Sequence, residues 1–434
     1  MPEKNGHANG AQRRSILIFS GGSACNYIVQ QLQALTPDVA YVLGVSDNGG
    51  STSEILRVVG GPSIGDLRSR LTRLIDTTRS DSGSESQAIK DLLSYRLPAT
   101  CDDESRIKAE WHDIVEGRHQ LWSGISAGKR ETIRGFLSLF HFEILKRAHK
   151  KFDYRNGSIG NFFLTGARLF FNSLEAAIFL FAAITGISDP TTVVPVINTN
   201  HMVTIAASLE NGENIVGQCE ISHPSSVSGS GNILFDKRRC GGLPARIKRI
   251  FYMNEYGAEL FPHPNTRCLQ LLATKRTLIY SIGSLYTSIM PCLVLRKIGN
   301  AIASSPTLRR KILILNGSTD RETTGYTALD FVQAITDGLN FSRQVDMVCT
   351  CADESLHPPT ASDLPAITAS NTPALDASAF LTHLIYLDNS AVPVPVEKIE
   401  NLGINCVPVR GAESNGVPVY VEEELSRVLE ALVE

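Results

Sequence analysis

Residues 45–74, VSDNGGSTSEILRVVGGPSIGDLRSRLTRL, hold five glycines, four arginines and two aspartates. Glycine turns tightly and lets a ligand approach backbone amides, and arginine grips phosphate oxygens through a planar fork of donors. Aspartates in the same stretch repel an anion unless a cation intervenes. The combination raises the question of a phosphorylated ligand held through a metal, and Asp47 at a strand end suits either a sugar hydroxyl or a magnesium ion. Asp47 and Asp66 are the candidate metal-binding and catalytic residues, with Asn48 beside the first. Two plainer roles stay open: Asp47 opening an Asn-Gly turn, and Asp66 capping a helix, a role worth ~1 kcal/mol. Arg68 falls in the first turn of that helix, where its charge opposes the dipole, so it calls for an anion or a surface carboxylate. Arg70 and Arg73 are expected in solvent.

Three more glycine-led helix starts could close on the same ligand. In FSGGSACN, Gly21, Gly22 and Ser23 join an apolar run to a helix and present amides as a phosphate cradle would, without the Gly-Lys-Ser/Thr of a Walker A loop. In RNGSIGNFFLTG the same device recurs, a glycine-containing turn and Asn161 before a strongly apolar helix. In YSIGSLYTSIMP, Gly283, Ser284, Tyr286, Thr287 and Ser288 offer hydroxyl donors and one ring, a set that suits phosphate oxygens and a base or sugar face. Each of these is also readable as an ordinary loop. The ten histidines form no HExxH spacing, which argues against a zinc site.

The elements that must position these residues alternate. SILIF (15–19), a glycine turn, Ile28, Leu32 and Leu35 at helical spacing, and VAYVLGV (39–45) make one βαβ unit, whose strands should lie parallel with Gly21, Gly22 and Asp47 at their carboxyl ends. Further strands are expected at 192–198, 277–282, 311–316, 344–350, 381–387 and 404–409, with helices between most of them and an amphipathic helix at the end. FDKRRCGGLPARIKRIFY (235–252) reads as a solvated basic strand. This predicts a three-layer Rossmann-like α/β fold on a mostly parallel, doubly wound sheet. Residues 1–14 read as a disordered tail before a single domain, 15–434, with insertions near 79–125, 225–232 and 356–378; the last, rich in Pro, Ser, Thr and Ala, is expected to be a mobile loop.

A formal net charge of −3 gives no global attraction to nucleic acid or to an anionic membrane, so small-molecule partners are expected. Nine scattered cysteines without a CxxC pair indicate reduced thiols and a cytoplasmic address. The apolar stretch 161–187 is interrupted by Arg168 and Glu175, which favours a buried helix pair over a membrane span.

In order along the chain, SDNGGSTSEILRVVGGPSIGDLRSRLTRL, GSIGNFFLTG, SIGSLYTSIMP and NGSTDRETTGYTALDFVQAI resemble the blocks of the 2-phospho-L-lactate transferase (CofD-like) proteins and their relatives, the gluconeogenesis factors (YvcK-like). The resemblance implies a Rossmann-like homodimer that binds a nucleotide-containing diphosphate. In the transferase branch it implies a magnesium-dependent transfer of phospholactate from a guanosine diphosphate carrier to an acceptor hydroxyl. In the other branch it implies a non-catalytic UDP-sugar-binding regulator of carbon metabolism, and GSLYTS and TTGYTALD are closer to that pattern. By position, Asp47 and Asp66 correspond to metal or substrate ligands, Asn161 to the phosphate region, and Tyr286 with its hydroxyl neighbours to the nucleotide side. The chain departs from the pattern at Ser20, Ser23, Ala24 and Cys25, which crowd the first loop, at Asn48, which stands where a second carboxylate is expected, and at Ile282, which replaces a proline. A site that has decayed into an interaction scaffold is the third reading.

Overall fold

Every residue of Ile16–Ser20 (β1) and Val39–Leu43 (β2) is buried, as continuous apolar runs must be when a parallel sheet is covered on both faces. The helix between them, Val29–Leu35 (α1), closes the first βαβ unit. These elements come from a computed structural model, which describes residues 14–22, 24–78, 83–100, 104–147, 149–223, 242–351, 364–368 and 372–433. Residues 1–13, Ser23, the Ser/Gly run at 225–232 and, of the stretch 356–378, residues 356–363 and 369–371 lie outside the described residues.

The remaining strands, in chain order, are Thr192–Pro195 (β3), Thr204–Leu209 (β4), Asn214–Val216 (β5), Ile247–Met253 (β6), Glu259–Leu260 (β7), Thr277–Tyr280 (β8), Arg310–Ile314 (β9), His383–Leu387 (β10), Asn405–Val409 (β11), Gly411–Ser414 (β12) and Val417–Tyr420 (β13). Among the described residues, seven form one sheet in the order β11-β10-β9-β8-β1-β2-β3, every pair parallel. Ile16 pairs with Val39 on one side and with Thr277 on the other, so strand order reverses at β1. A crevice therefore opens at the carboxyl ends of β1 and β8, where ligands bind in sheets of this type. β4 to β7 build a separate antiparallel sheet in the order β5-β4-β6-β7, and β12 and β13 form a hairpin.

Between β2 and β3 the chain forms Gly50–Val58 (α2), Gly65–Arg73 (α3), Gly83–Ser94 (α4), Glu104–Val115 (α5), Ala127–Leu145 (α6), Ile159–Phe171 (α7) and Leu174–Thr185 (α8). The apolar stretch 161–187 is the α7–α8 pair. Residues Ile159 to Arg168 of α7 are all buried, and Phe140 of α6 stacks on Phe162 with ring centroids 4.5 Å apart. No helix among the described residues is long and apolar enough to cross a membrane.

Two expectations are corrected. Residues 344–350 are not a strand but the last turns of a helix, Ala328–Cys351. The apolar positions Phe331, Ile335 and Leu339 set a helical period that runs on to Val345, which is buried against Phe261 and Ile367. Arg70 is not in solvent: it is fully buried, with its guanidinium 4.9 Å from the centre of the Tyr41 ring.

Candidate functional site

At the carboxyl end of β1 the chain makes its glycine turn against the first turn of α3. A methyl group on Gly22 would lie 2.1 Å from Oδ1 of Asp66, and one on Gly21 would lie 2.7 Å from Oγ of Ser288, so both close approaches require glycine. The Gly22 amide donates to the Asp66 carboxylate. Arg70 braces the turn from beneath: it donates to the Gly21 carbonyl at 3.1 Å and to Ser20 Oγ at 3.4 Å, while its Nε and other terminal nitrogen find no partner. A buried positive charge thus sits directly under the turn.

Asp47, just past β2, accepts from the Gly49 amide at 2.9 Å, the geometry of a local turn. Burial pushes its carboxyl up, against the pull of the Gly49 amide and His223. Burial and the neighbouring Asp47 charge push the Asp66 carboxyl up to about 7, against the Gly22 amide, Arg70 and Arg68. Two carboxylates that oppose each other's ionisation are suited to a shared divalent cation. Among the described residues no third His, Cys, Asp or Glu completes a metal-binding group, so a magnesium ion there would take its other ligands from phosphate and water.

Arg68 is almost fully buried and Asn161 entirely so. Arg68 Nε donates to Asn161 Oδ1 at 3.2 Å, Asn161 Nδ2 donates to Ser51 Oγ at 3.0 Å, and Arg96 donates to the same hydroxyl at 2.9 Å. Asn161 therefore fixes the frame between two arginines. Burial and the Arg96 charge bring Arg68 down to about 10, and burial also lowers Arg96.

After β8, Gly283 is clamped by Asn316, whose side chain accepts from its amide at 3.0 Å and donates to its carbonyl at 2.8 Å. Ser284 precedes a short helix, Leu285–Ile289, whose first amides meet a carboxylate already within the fold. Glu322 accepts from the amides of Tyr286 at 2.9 Å and Thr287 at 3.2 Å and from Thr287 Oγ1 at 2.5 Å. Burial and Asp320 raise its carboxyl to about 8. Tyr286 and Ser288 leave opposite sides of this helix. Ser288 faces the glycine turn, whereas the Tyr286 hydroxyl meets that of Tyr326 at 2.9 Å and lines a cavity of about 540 Å³ between β6 and the helix Ala328–Cys351.

The structure thus brings together Gly21, Gly22, Asp47, Asp66 and Ser288, with Gly283 and Ser284 at the edge and Arg68 alongside. Asn48 is turned away, its side-chain oxygen accepting from the Cys219 amide at 3.0 Å. Thr287 is committed to Glu322, and Tyr286 belongs to the neighbouring cavity. Ser23 lies outside the described residues. Arg70, Arg96, Glu322 and Asn316 are the residues that sequence reasoning did not single out. Arg96 reaches the site through a β-bridge to Ser158, just before α7, a contact no local pattern announces.

Residues 16–378 match the family model described as 2-phospho-L-lactate transferase CofD. The chain is 33% identical over 470 residues to the uncharacterized protein YNL011C of Saccharomyces cerevisiae, covering 96% of this chain and 98% of that protein. It is 23% identical over 325 residues to the gluconeogenesis factor of Bacillus subtilis, covering 75% of this chain and 74% of that one. A crystal structure of a UPF0052 family protein from Bacillus halodurans superposes with a TM-score of 0.62 at 18% identity, covering 97% of this chain and all of that chain, a likeness of fold.

Proposed function

The chain belongs to the 2-phospho-L-lactate transferase CofD family, and from that premise we propose that it binds a nucleotide-diphosphate ligand in the crevice and transfers a phospho-group from it to an acceptor hydroxyl. One observation carries this reading: the glycine turn, the Asp47–Asp66 pair and Ser288 converge at the carboxyl ends of β1, β2 and β8, over the buried charge of Arg70.

In this reading the amides of the turn and the Ser288 hydroxyl hold diphosphate oxygens, and the field of Arg70 favours their negative charge. Asp47 and Asp66 would hold magnesium, which supplies charge neutralisation of the diphosphate when bound. Ser284 and Gly283 would flank the diphosphate, and the cavity beside Tyr286 is the candidate room for the nucleoside. The acceptor oxygen forms a bond to the distal phosphorus as the anhydride bond breaks, releasing a nucleoside monophosphate and the hydroxyl proton.

A second reading rests on the relatives named gluconeogenesis factor and on the departure at Asn48: a cytoplasmic, homodimeric regulator that senses a UDP-sugar without turnover. One experiment tests both. Calorimetric titration with GDP, UDP and UDP-N-acetylglucosamine, with and without magnesium, is followed by assay for nucleoside monophosphate after incubation with candidate alcohols. Magnesium-dependent binding with monophosphate release supports transfer. Binding without release supports the sensor, and no binding of any nucleotide overturns both.

A further inference from the structure

α8 is apolar on every side. Of its 12 residues only Glu175 is charged, and both carboxylate oxygens are taken within the chain, by Asn198 at 2.9 Å and Asn265 at 2.8 Å. Leu174, Ala177, Ile178, Phe181 and Ile184 face the core. An ordinary surface helix would be polar opposite that face. Here the outer stripe is Ala176, Phe179, Leu180 and Ala183, residues three and four apart that share one side of a helix, with Ala176 and Leu180 half-buried, Ala183 exposed and Phe179 76% exposed. A helix that is hydrophobic all round belongs in an interior. With 12 residues, α8 is too short to cross a bilayer.

The apolar surface continues onto neighbouring elements. Asn200 donates to the carbonyl of Asn172 at 2.6 Å and to its side-chain oxygen at 3.1 Å, which ties the loop carrying Met202 to the end of α7. There Phe170 and Phe171 meet edge to face with centroids 5.1 Å apart. Phe170, Phe171 and Met202 are 63%, 41% and 54% exposed. The three rings alone leave roughly 350 Å² of aromatic surface in water, a large share of the about 800 Å² per partner that a stable pair buries.

We infer that this face pairs with the same face of a second copy of the chain, the two α8 helices crossing antiparallel about a two-fold axis near Phe179 and Leu180. A two-fold interface must be self-complementary, and the stripe is: one large ring, Phe179, stands between two small residues, Ala176 three positions before it and Ala183 four after. Each ring then enters the space over the other copy's alanines, as knobs enter holes between packed helices. The stripe carries no charge to hold an anionic lipid or an acidic peptide. The pairing does not depend on what the crevice binds.

The test follows the full chain, free of ligand, by sedimentation velocity over a wide range of concentration. Wild type should show a monomer–dimer equilibrium. Phe179→Glu should weaken it at least tenfold while the monomer melts at an unaltered midpoint, because the ring is in water there. Ala183→Leu separates a fitted pairing from mere adhesion: it adds apolar surface but fills the space for the ring, so the dimer should again weaken at least tenfold. Phe142→Ser, which removes an exposed ring on α6 outside the stripe, should change nothing. The proposal is overturned by a wild type that stays monomeric, a dimer that survives Phe179→Glu, a dimer tightened by Ala183→Leu, or equal weakening by Phe142→Ser. Adsorption of monomer to phosphatidylcholine vesicles that is lost in Phe179→Glu would assign the face to lipid and overturn it as well.

Discussion

Gly22 and Asp66 are in such close contact that no side chain can stand between them: a methyl group on the glycine would sit 2.1 Å from the carboxylate oxygen and 2.8 Å from the aspartate Cα. Gly22→Ala must therefore push α3 away from β1. The expected cost is on the order of 1 to 3 kcal/mol of stability. Because the displaced group is Asp66, magnesium-dependent nucleotide binding should fall by more than that loss explains. Chemical denaturation and calorimetry on the same variant check both; unaltered nucleotide affinity would remove the turn from the site.

The carboxyl of Asp66 provides a pH signature. Its pKa rises from 3.8 in the unfolded chain to about 7 in the free fold, so the native state keeps a proton that the unfolded state releases. The share of the free protein's stability due to this group should fall as pH rises from about 4 to about 7 and level off above. Asp66→Asn should reduce the overall slope by that share, with a relative gain of a few degrees in midpoint near pH 7. Magnesium-nucleotide affinity of the wild type should rise over the same window, since metal displaces the proton. Identical melting profiles for the two proteins would contradict the assignment.

Glu322 separates charge from hydrogen bonding. Glu322→Ala leaves two amides and the Thr287 hydroxyl without their acceptor, and should destabilise by about 3 kcal/mol. Glu322→Gln keeps an acceptor and removes the titration. Because the carboxyl is raised from 4.5 to about 8, it adds to the decline of wild-type stability across that interval, and the variant should lose that share while keeping the share due to Asp66. The stability difference, read from urea titrations at pH 5 and pH 8, should move in favour of Gln at the higher pH.

Tyr286 distinguishes nucleoside from diphosphate recognition. Tyr286→Ala removes one wall of the cavity on the far side of the helix from Ser288. It should weaken nucleotide binding by about 1 to 3 kcal/mol, roughly ten- to hundredfold, by the scale of aromatic contacts to bases. Inorganic pyrophosphate should lose far less. Equal losses for both would show that Tyr286 acts only by supporting the helix.

The first βαβ unit was legible because its strands are buried on both faces and its glycine turn is local, and α3 was legible through the spacing of Leu67 and Leu71. The strand expected at 344–350 was misread because a seven-residue window holding three valines and threonines looks extended, while the helical period that decides it starts upstream at Phe331. Arg70 was misread for a different reason. Its neighbours on α3 say nothing of Tyr41, which comes from β2 to meet its guanidinium. Arg96 and Glu322 were invisible because each acts at long range: Arg96 lies in a stretch that reads as an insertion, and Glu322 binds amides 35 and 36 residues away.

The pairing of Ile16 with Thr277 sets an order in time. β1 and β2 can meet within the first 43 residues of a growing chain, but the crevice has only one wall until β8 arrives and Ser288 follows it. Closing so long a loop is slow and comes only after much of the chain is free to move. On the ribosome, the N-terminal segment must therefore wait for most of the protein to be made before a ligand can help it fold. A nascent or truncated chain ending before residue 277 carries both aspartates and neither the far wall nor the helix beyond it.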